Sequence, residues 1–401
     1  MRSGRCWQPG RARTVTPAAD PVSVYLHLPW CVRKCPYCDF NSHTAGDLSQ
    51  REAYLDALLQ DLTSEAERVA GRSVATVFIG GGTPSLFSPA EIGRLLDGLA
   101  AALPLEDSAE VTMEANPGTV ERGSMAGYRT AGVNRISLGA QSFDDATLRR
   151  LGRIHSADDI RAASQEIRAA GFERMNLDVM YALPGQSLEA AIEDVKAALA
   201  LDPGHLSHYQ LTLEPNTVFS ARPPAGLPDA ELAWDMQEAC HAELSKAGYR
   251  QYEVSAFARP AQECRHNLNY WRFGEYLGIG AGAHGLYRSA EGVLVRTRKA
   301  ANPRQYIEGI KAGDATSERQ VAANDAVFEF MLNVLRLPDA FRAADFEART
   351  GLPAVVLRDA VAPAVSQGLL TASGDDEWRT TAQGYRFLND LQALFLPSEN
   401  T

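Results

Sequence analysis

From residue 22 onward, apolar positions alternate between two periods, about two and about 3.6 residues, the marks of strand and helix. Val22–Leu28 reads as a strand, and further β-rich runs are expected at Thr76–Ile79, Glu110–Glu114, Asn134–Leu138, Met175–Met180 and His205–Leu213. Helical spacing fills the gaps. Ser49-Gln50-Arg51-Glu52 is a capping box ahead of Leu55, Leu58, Leu59, Leu62 and Val69, and Gly71 ends that helix. A second box, Ser88-Pro89-Ala90-Glu91, precedes Ile92, Leu95, Leu96 and Leu99. Asp158–Ala170, Leu188–Leu199 and Ala230–Ala247 follow the same period. Six strands alternating with helices predict a parallel sheet with right-handed crossovers. Rossmann and barrel layering both fit that pattern.

The rest of the chain is patterned differently. Residues 1–21 hold Arg2, Arg5, Arg11 and Arg13 among Gly and Pro and read as a disordered arm. Residues 251–320 are rich in Gly, Tyr and Arg and read as an irregular segment. From residue 321 to 395 a small, mainly helical, winged-helix-like domain is expected. Phe328, Met331, Leu332 and Leu335 share one face of its first helix, and a hairpin lies within Leu369–Thr380.

Composition narrows the function classes. Hydrophobic residues make up 45% and charged residues 22%, the balance of a globular chain, and no apolar run reaches membrane-spanning length. The net charge of −11 argues against a nucleic-acid surface. The C-terminal segment argues likewise, since residues 324–401 carry eleven acidic residues and six Arg with no Lys. Six cysteines, three of them clustered, suit a reducing cytoplasmic compartment and a metal centre rather than a disulfide framework.

That cluster is Cys31-x3-Cys35-x2-Cys38. Three thiolates in so short a loop can hold three corners of an iron–sulfur cube and leave the fourth iron open, whereas ordinary ferredoxin clusters take four. Zinc is the alternative. It would want a fourth ligand, for which His43 is available, but no second ligand pair follows. Polar groups recur at the ends of the expected strands: Gly80-Gly81-Gly82-Thr83, Glu114, Gln141, Asp178, Tyr209 and Gln210. Such repetition points to one shared mouth at the carboxyl ends of barrel strands, so the fold expected is α/β, an incomplete (β/α) barrel of about six parallel strands over 22–250. Gly81 and Gly82 would let backbone approach a ligand and offer N–H groups to an anion.

The longer run Tyr25-x-His27-x-Pro29-Trp30-Cys31-x3-Cys35-x-Tyr37-Cys38-x-Phe40 resembles the radical S-adenosylmethionine (radical SAM) superfamily. Within it, the branch of oxygen-independent coproporphyrinogen III oxidases and their haem-chaperone relatives is the most similar, over residues 22 to 395. The resemblance implies a [4Fe-4S] cluster on Cys31, Cys35 and Cys38, with S-adenosylmethionine on its open iron. Tyr25, Tyr37, Gly81, Gly82, Thr83, Glu114, Gln141, Arg153 and Asp178 match family positions near that cofactor. Asp178 suits ribose hydroxyls and Arg153 a carboxylate. Reductive cleavage of the sulfonium would give methionine and a 5′-deoxyadenosyl radical. Arg33 and Lys34 beside the cluster would raise its potential.

Two features separate the branch members. The oxidases carry one more cysteine two residues after the third, where this chain has Phe40. His266-Asn267-Leu268-Asn269-Tyr270-Trp271 resembles the chaperone branch, which implies haem binding with His266 as an iron ligand, or a loop histidine with a structural bond. The resemblance therefore implies a haem carrier. Its partners would be a reductant for the cluster and a haem-requiring recipient, a membrane-associated one included. Oxidative decarboxylation of coproporphyrinogen III is the alternative, and a zinc-stabilised structural module is a third reading.

Overall fold

The computed structural model describes residues 20–44, 50–119 and 124–397; residues 1–19 of the basic arm and Ser49 lie outside them. Its centre is a mixed sheet of twelve strands. In chain order they are β1 Val22–Leu28, β2 Val74–Gly81, β3 Leu105–Ala115, β4 Arg135–Gln141, β5 Arg174–Tyr181, β6 Gly204–Gln210, β7 Arg250–Glu253, β8 Ala256–Ala258, β9 Tyr276–Ile279, β10 His284–Arg288, β11 Leu294–Lys299 and β12 Thr316–Gln320. The spatial order is β12-β11-β10-β9-β1-β2-β3-β4-β5-β6-β8-β7. β1 to β6 are parallel neighbours in sequence order, with helices in their crossovers. Among the described residues β12 and β7 do not pair, so the sheet stays open.

β1 has the bounds expected, whereas β2 to β6 are longer than the alternation predicted or shifted at their ends, because buried strands are near-continuously apolar and blur the period. Val24, Leu26, Val77, Ile79, Met113, Ile136, Leu138, Leu177, Val179 and Leu206 are buried under the crossover helices. The second capping box forms as its spelling predicts: Ser88 accepts from the Glu91 amide, and Glu91 accepts from the Ser88 amide. At the first helix, Arg51–Ala66, the residue found at the cap is Gln50, with no side-chain bond.

The expectation of an irregular segment over 251–320 is corrected. It supplies β8 to β12, most of β7, and helices Arg265–Trp271 and Pro303–Ala312. β9 pairs in parallel with β1, giving a seventh parallel strand. The signal was weak because β11 and β12 are edge or near-edge strands, Leu-Val-Arg-Thr-Arg-Lys and Thr-Ser-Glu-Arg-Gln, whose charges replace apolar alternation.

A second core lies near the carboxyl end. Helix Ala323–Val334 buries Ala326, Phe330, Met331 and Val334 against Phe346, Leu357, Val361 and Trp378. Leu332, expected on that face, is exposed, because the buried stripe runs through Phe330 and Val334 instead. The hairpin forms from Leu370–Gly374 and Glu377–Thr380, and Phe341–Arg342 adds a third strand.

Candidate active site

The carboxyl ends of β2 to β6 and the cysteine loop after β1 surround one cleft. Its walls include Cys31, Cys35, Cys38, Gly81, Thr83, Glu114, Gln141, Arg153, Asp178 and Tyr209, and Tyr37 and Gly82 also line it. Counting the space open to solvent at its mouth, the cleft holds ≈ 760 Å³. Strand position thus brought together residues spread over nearly two hundred positions of sequence.

The cysteine loop is tied down from several sides. The Cys38 amide donates to Cys35 O at 3.1 Å, and Lys34 Nζ donates to Phe40 O at 3.0 Å and Ser42 O at 3.3 Å. Asn41 Nδ2 donates to Ala281 O at 2.8 Å and Ala301 O at 2.9 Å. His27 joins the loop to β1, with Nε2 2.8 Å from Asn41 O and Nδ1 2.9 Å from the Tyr25 hydroxyl. Burial raises the Cys31 thiol, while hydroxyls of Thr83 and Ser42 act the other way. Cys38 is raised for the same reason. All three cysteines are unpaired and half-buried. Among the described residues no three His, Cys, Asp or Glu side chains converge on a position for one metal ion.

Gly81 and Gly82 behave differently from expectation. The Gly81 amide donates to Glu114 Oε2 at 3.0 Å, the Gly82 amide to Leu28 O at 2.7 Å and the Thr83 amide to Trp30 O at 2.8 Å. None of these N–H groups is left for an anion. The glycines are needed for packing: Gly81 has φ +114°, and a Cβ there would sit 2.4 Å from the His27 ring. A Cβ on Gly82 would lie 2.5 Å from Trp30 O.

Two half-buried carboxyl groups form the floor. Glu114 is pushed up to about 7 by burial, then by the charge of Asp178. Asp178 is also raised by burial, against a hydrogen bond from Asn176 Nδ2 at 2.7 Å. Arg153 spans the wall: Nη2 donates to Gly139 O at 2.9 Å and Nη1 points at Cys35 Sγ at 3.5 Å. Gln141 takes a left-handed φ of 67° at the bulge where β4 leaves its register with β5, and its Nε2 lies 3.4 Å from the Tyr209 hydroxyl. Its Oε1 is buried without a partner, as is Arg153 Nε.

Two expected residues lie elsewhere. Tyr25 does not line the cleft; its hydroxyl is spent on His27 and its ring stacks on Phe78. His266 is buried at the amino ends of the strands, with Nδ1 2.8 Å from Thr76 Oγ1 and Nε2 2.9 Å from the Tyr270 hydroxyl. Burial pulls it down to about 3. As an iron ligand it would first have to release one of these bonds. The Gly280–Gly282 loop packs against His27 O and Asn41 and stays off the cleft wall. Ser137, Gly139 and Asn116 also line the cleft and were missed. Ser137 and Gly139 alternate with Gln141 along β4, and that period could have found them.

Comparison with known proteins agrees with this geometry. Residues 25–198 match the Radical SAM superfamily, and residues 321–387 match the HemN C-terminal domain. The chain is 50% identical over 376 residues to heme chaperone HemW of Escherichia coli (strain K12), covering 94% of this chain and 98% of that one. It is 33% identical over 380 residues to heme chaperone HemW of Bacillus subtilis (strain 168), covering 93% and 99%. Among solved structures, coproporphyrinogen III oxidase (HemN) from Escherichia coli superposes with a TM-score of 0.79 over 94% of this chain and 90% of that chain. At 24% identity that likeness establishes the fold. Identity on this scale across nearly the whole length of such relatives means that the chain belongs to the heme chaperone HemW family of the radical SAM superfamily.

Proposed function

We propose that this protein is a haem chaperone. It holds a [4Fe-4S] cluster on Cys31, Cys35 and Cys38 with S-adenosylmethionine beside it, and passes haem to a haem-requiring recipient. The observation that carries the chaperone reading is the 50% identity to a relative of that name over 98% of its length.

The residues present fit the cofactors. Three unpaired thiols face one cleft but do not converge on a single ion's position, which favours a polynuclear centre over zinc. S-adenosylmethionine carries a sulfonium and an ammonium, and the cleft offers Glu114 and Asp178 to cationic and hydroxyl groups. The unspent Gln141 Oε1 is an acceptor for a ligand N–H. Arg153 and Tyr37 enclose the side nearest Cys35. When bound, the cluster would supply an electron to the sulfonium. The chain's own part is to hold the thiols, keep water out and orient the adenosyl group. Tyr25 acts one layer back, through His27 and Asn41 O, on the cysteine loop.

A coproporphyrinogen oxidase is the second reading, favoured by the shared fold with that enzyme. Phe40 argues against it: it stands where the oxidases have a further cysteine, and its side chain is exposed at the cleft mouth. The deciding experiment incubates reduced, cluster-reconstituted protein with coproporphyrinogen III and S-adenosylmethionine. The expected result is no protoporphyrinogen, together with saturable haem binding and transfer to an apo-haemoprotein; robust decarboxylation sinks the chaperone reading. Haem titration of wild type against His266→Ala tests that ligand, and an unchanged spectrum and affinity remove it.

A further inference from the structure

Beneath the cleft floor, Asp178 is held from behind by two side chains that do not line the cleft, the amide of Asn176 and the hydroxyl of Ser207. Asn176, two residues back along β5, is buried and uses both ends of its amide. Nδ2 donates to Asp178 Oδ1 at 2.7 Å and Ser137 Oγ at 2.8 Å. Oδ1 lies 2.6 Å from His205 Nδ1 and accepts from Ser207 Oγ at 3.1 Å. His205, also buried, places Nε2 2.7 Å from the Tyr252 hydroxyl, which accepts the Cys264 amide at 3.2 Å.

Only one proton arrangement satisfies this chain when Asp178 is a carboxylate. A carboxylate oxygen can only accept, so the Asn176 NH2 must face it. The Asn176 oxygen then faces His205, so His205 carries its proton on Nδ1. Nε2 must therefore accept, and Tyr252 must donate to it. Reversing the amide would set two oxygens 2.7 Å apart with no proton between them.

We infer that Tyr252, His205 and Asn176 form a directional relay that fixes the orientation of Asp178, a residue of the cleft wall, for the ribose hydroxyls of the adenosyl ligand. The inference rests on the ribose role given to Asp178 above. These three are positioning residues. The Asp178 carboxylate sets the amide orientation, the amide calls for the Nδ1–H tautomer of His205, and the Tyr252 hydroxyl supports that tautomer by donating to Nε2.

The test is calorimetric titration of the cluster-containing protein with S-adenosylmethionine and with its 2′,3′-dideoxyribose counterpart. Wild type binds the ribose form more tightly. Tyr252→Phe and Asn176→Ala narrow that preference about fivefold, the worth of a hydrogen bond lost or misdirected, with the dideoxy ligand little changed. Nitrogen-15 NMR of His205 shows the Nδ1–H tautomer in wild type and a mixture in Tyr252→Phe. An unchanged preference in both variants overturns the relay, and so does equal weakening of both ligands, which would mean general damage. A wild type with no preference, unaltered by Asp178→Asn, sinks the ribose assignment and the inference with it. If Asp178→Asn loses the preference while Tyr252→Phe keeps it, the relay alone is refuted.

Discussion

Lys299 is the most consequential charge away from the cleft. It ends β11 with its side chain fully buried, and Nζ donates to Asp61 Oδ1 at 2.6 Å, Glu65 Oε1 at 2.7 Å and Thr316 Oγ1 at 2.7 Å. Asp61 Oδ2 in turn accepts from the Tyr306 hydroxyl at 2.7 Å and the Gly280 amide at 3.3 Å. Replacing Lys299 by Met strands the buried Asp61 carboxylate without a cation and leaves Glu65, one helical turn away, to Arg68 alone, whose Nε lies 3.0 Å from Glu65 Oε2. Breaking such a group from one side costs about 3–5 kcal/mol. For a chain this size that lowers the melting temperature by about 4–6 °C. The effect should reach the cofactor loop. Tyr54 accepts the Ala281 amide and donates to His27 O, and Asn41 hangs from Ala281 O and Ala301 O. Thermal unfolding and denaturant titration of Lys299→Met measure the first effect, and the rate of iron loss from reconstituted protein measures the second. The triple change Asp61→Asn, Glu65→Gln, Lys299→Met should recover most of the loss, because no buried carboxylate is then left uncompensated and Arg68 keeps its pair with Glu318. A Lys299→Met penalty below about 1 kcal/mol would refute the reasoning, since only an exposed pair is worth so little.

Other expectations follow from the cleft. Glu114, raised from 4.5 to about 7, binds a proton more tightly folded than unfolded, so its share of stability is lost as pH rises from 4.5 through 7. Glu114→Gln removes that dependence, and urea titrations should show the variant gaining on wild type from pH 5 to pH 8 by up to about 3 kcal/mol; a constant difference would contradict it. Gly81→Ala combines a φ of +114° with a Cβ pressed into the His27 ring, so a cost of about 2 kcal/mol or more and poor cluster retention are expected from melting curves and iron counts. Arg153→Gln removes the cation beside Cys35 Sγ, and potentiometric EPR should show a lower cluster potential; an unchanged potential would take the Arg153–Cys35 contact out of the account. Alanine at Cys31, Cys35 or Cys38 should each abolish the visible absorption of the cluster, whereas Cys240→Ala, in the core beside Met236, should not.

The chain by itself determined the layering and the chemistry. Alternating periods placed β1 to β6 and their helices, because a strand or helix buries its apolar face by local spacing that any reader of the sequence can count. The cysteine spacing marked a candidate donor set for the same reason: three thiols on one short loop are close whatever the rest of the fold does. Polar residues at strand ends marked the cleft, since parallel strands bring all their carboxyl ends to one side. Tertiary structure alone decided what each group spends its bonds on. The amides of Gly81 and Gly82 looked free in sequence and are consumed by Glu114 and Leu28. Tyr25 looked like a wall of the cleft and bonds to His27, and His266 lies in the core between Thr76 and Tyr270. β9, the seventh parallel strand, is completed only by pairing with β1 some 250 residues earlier in the chain. Hydrogen bonds and burial between distant segments have no period, so a linear pattern carries no trace of them until the chain has folded.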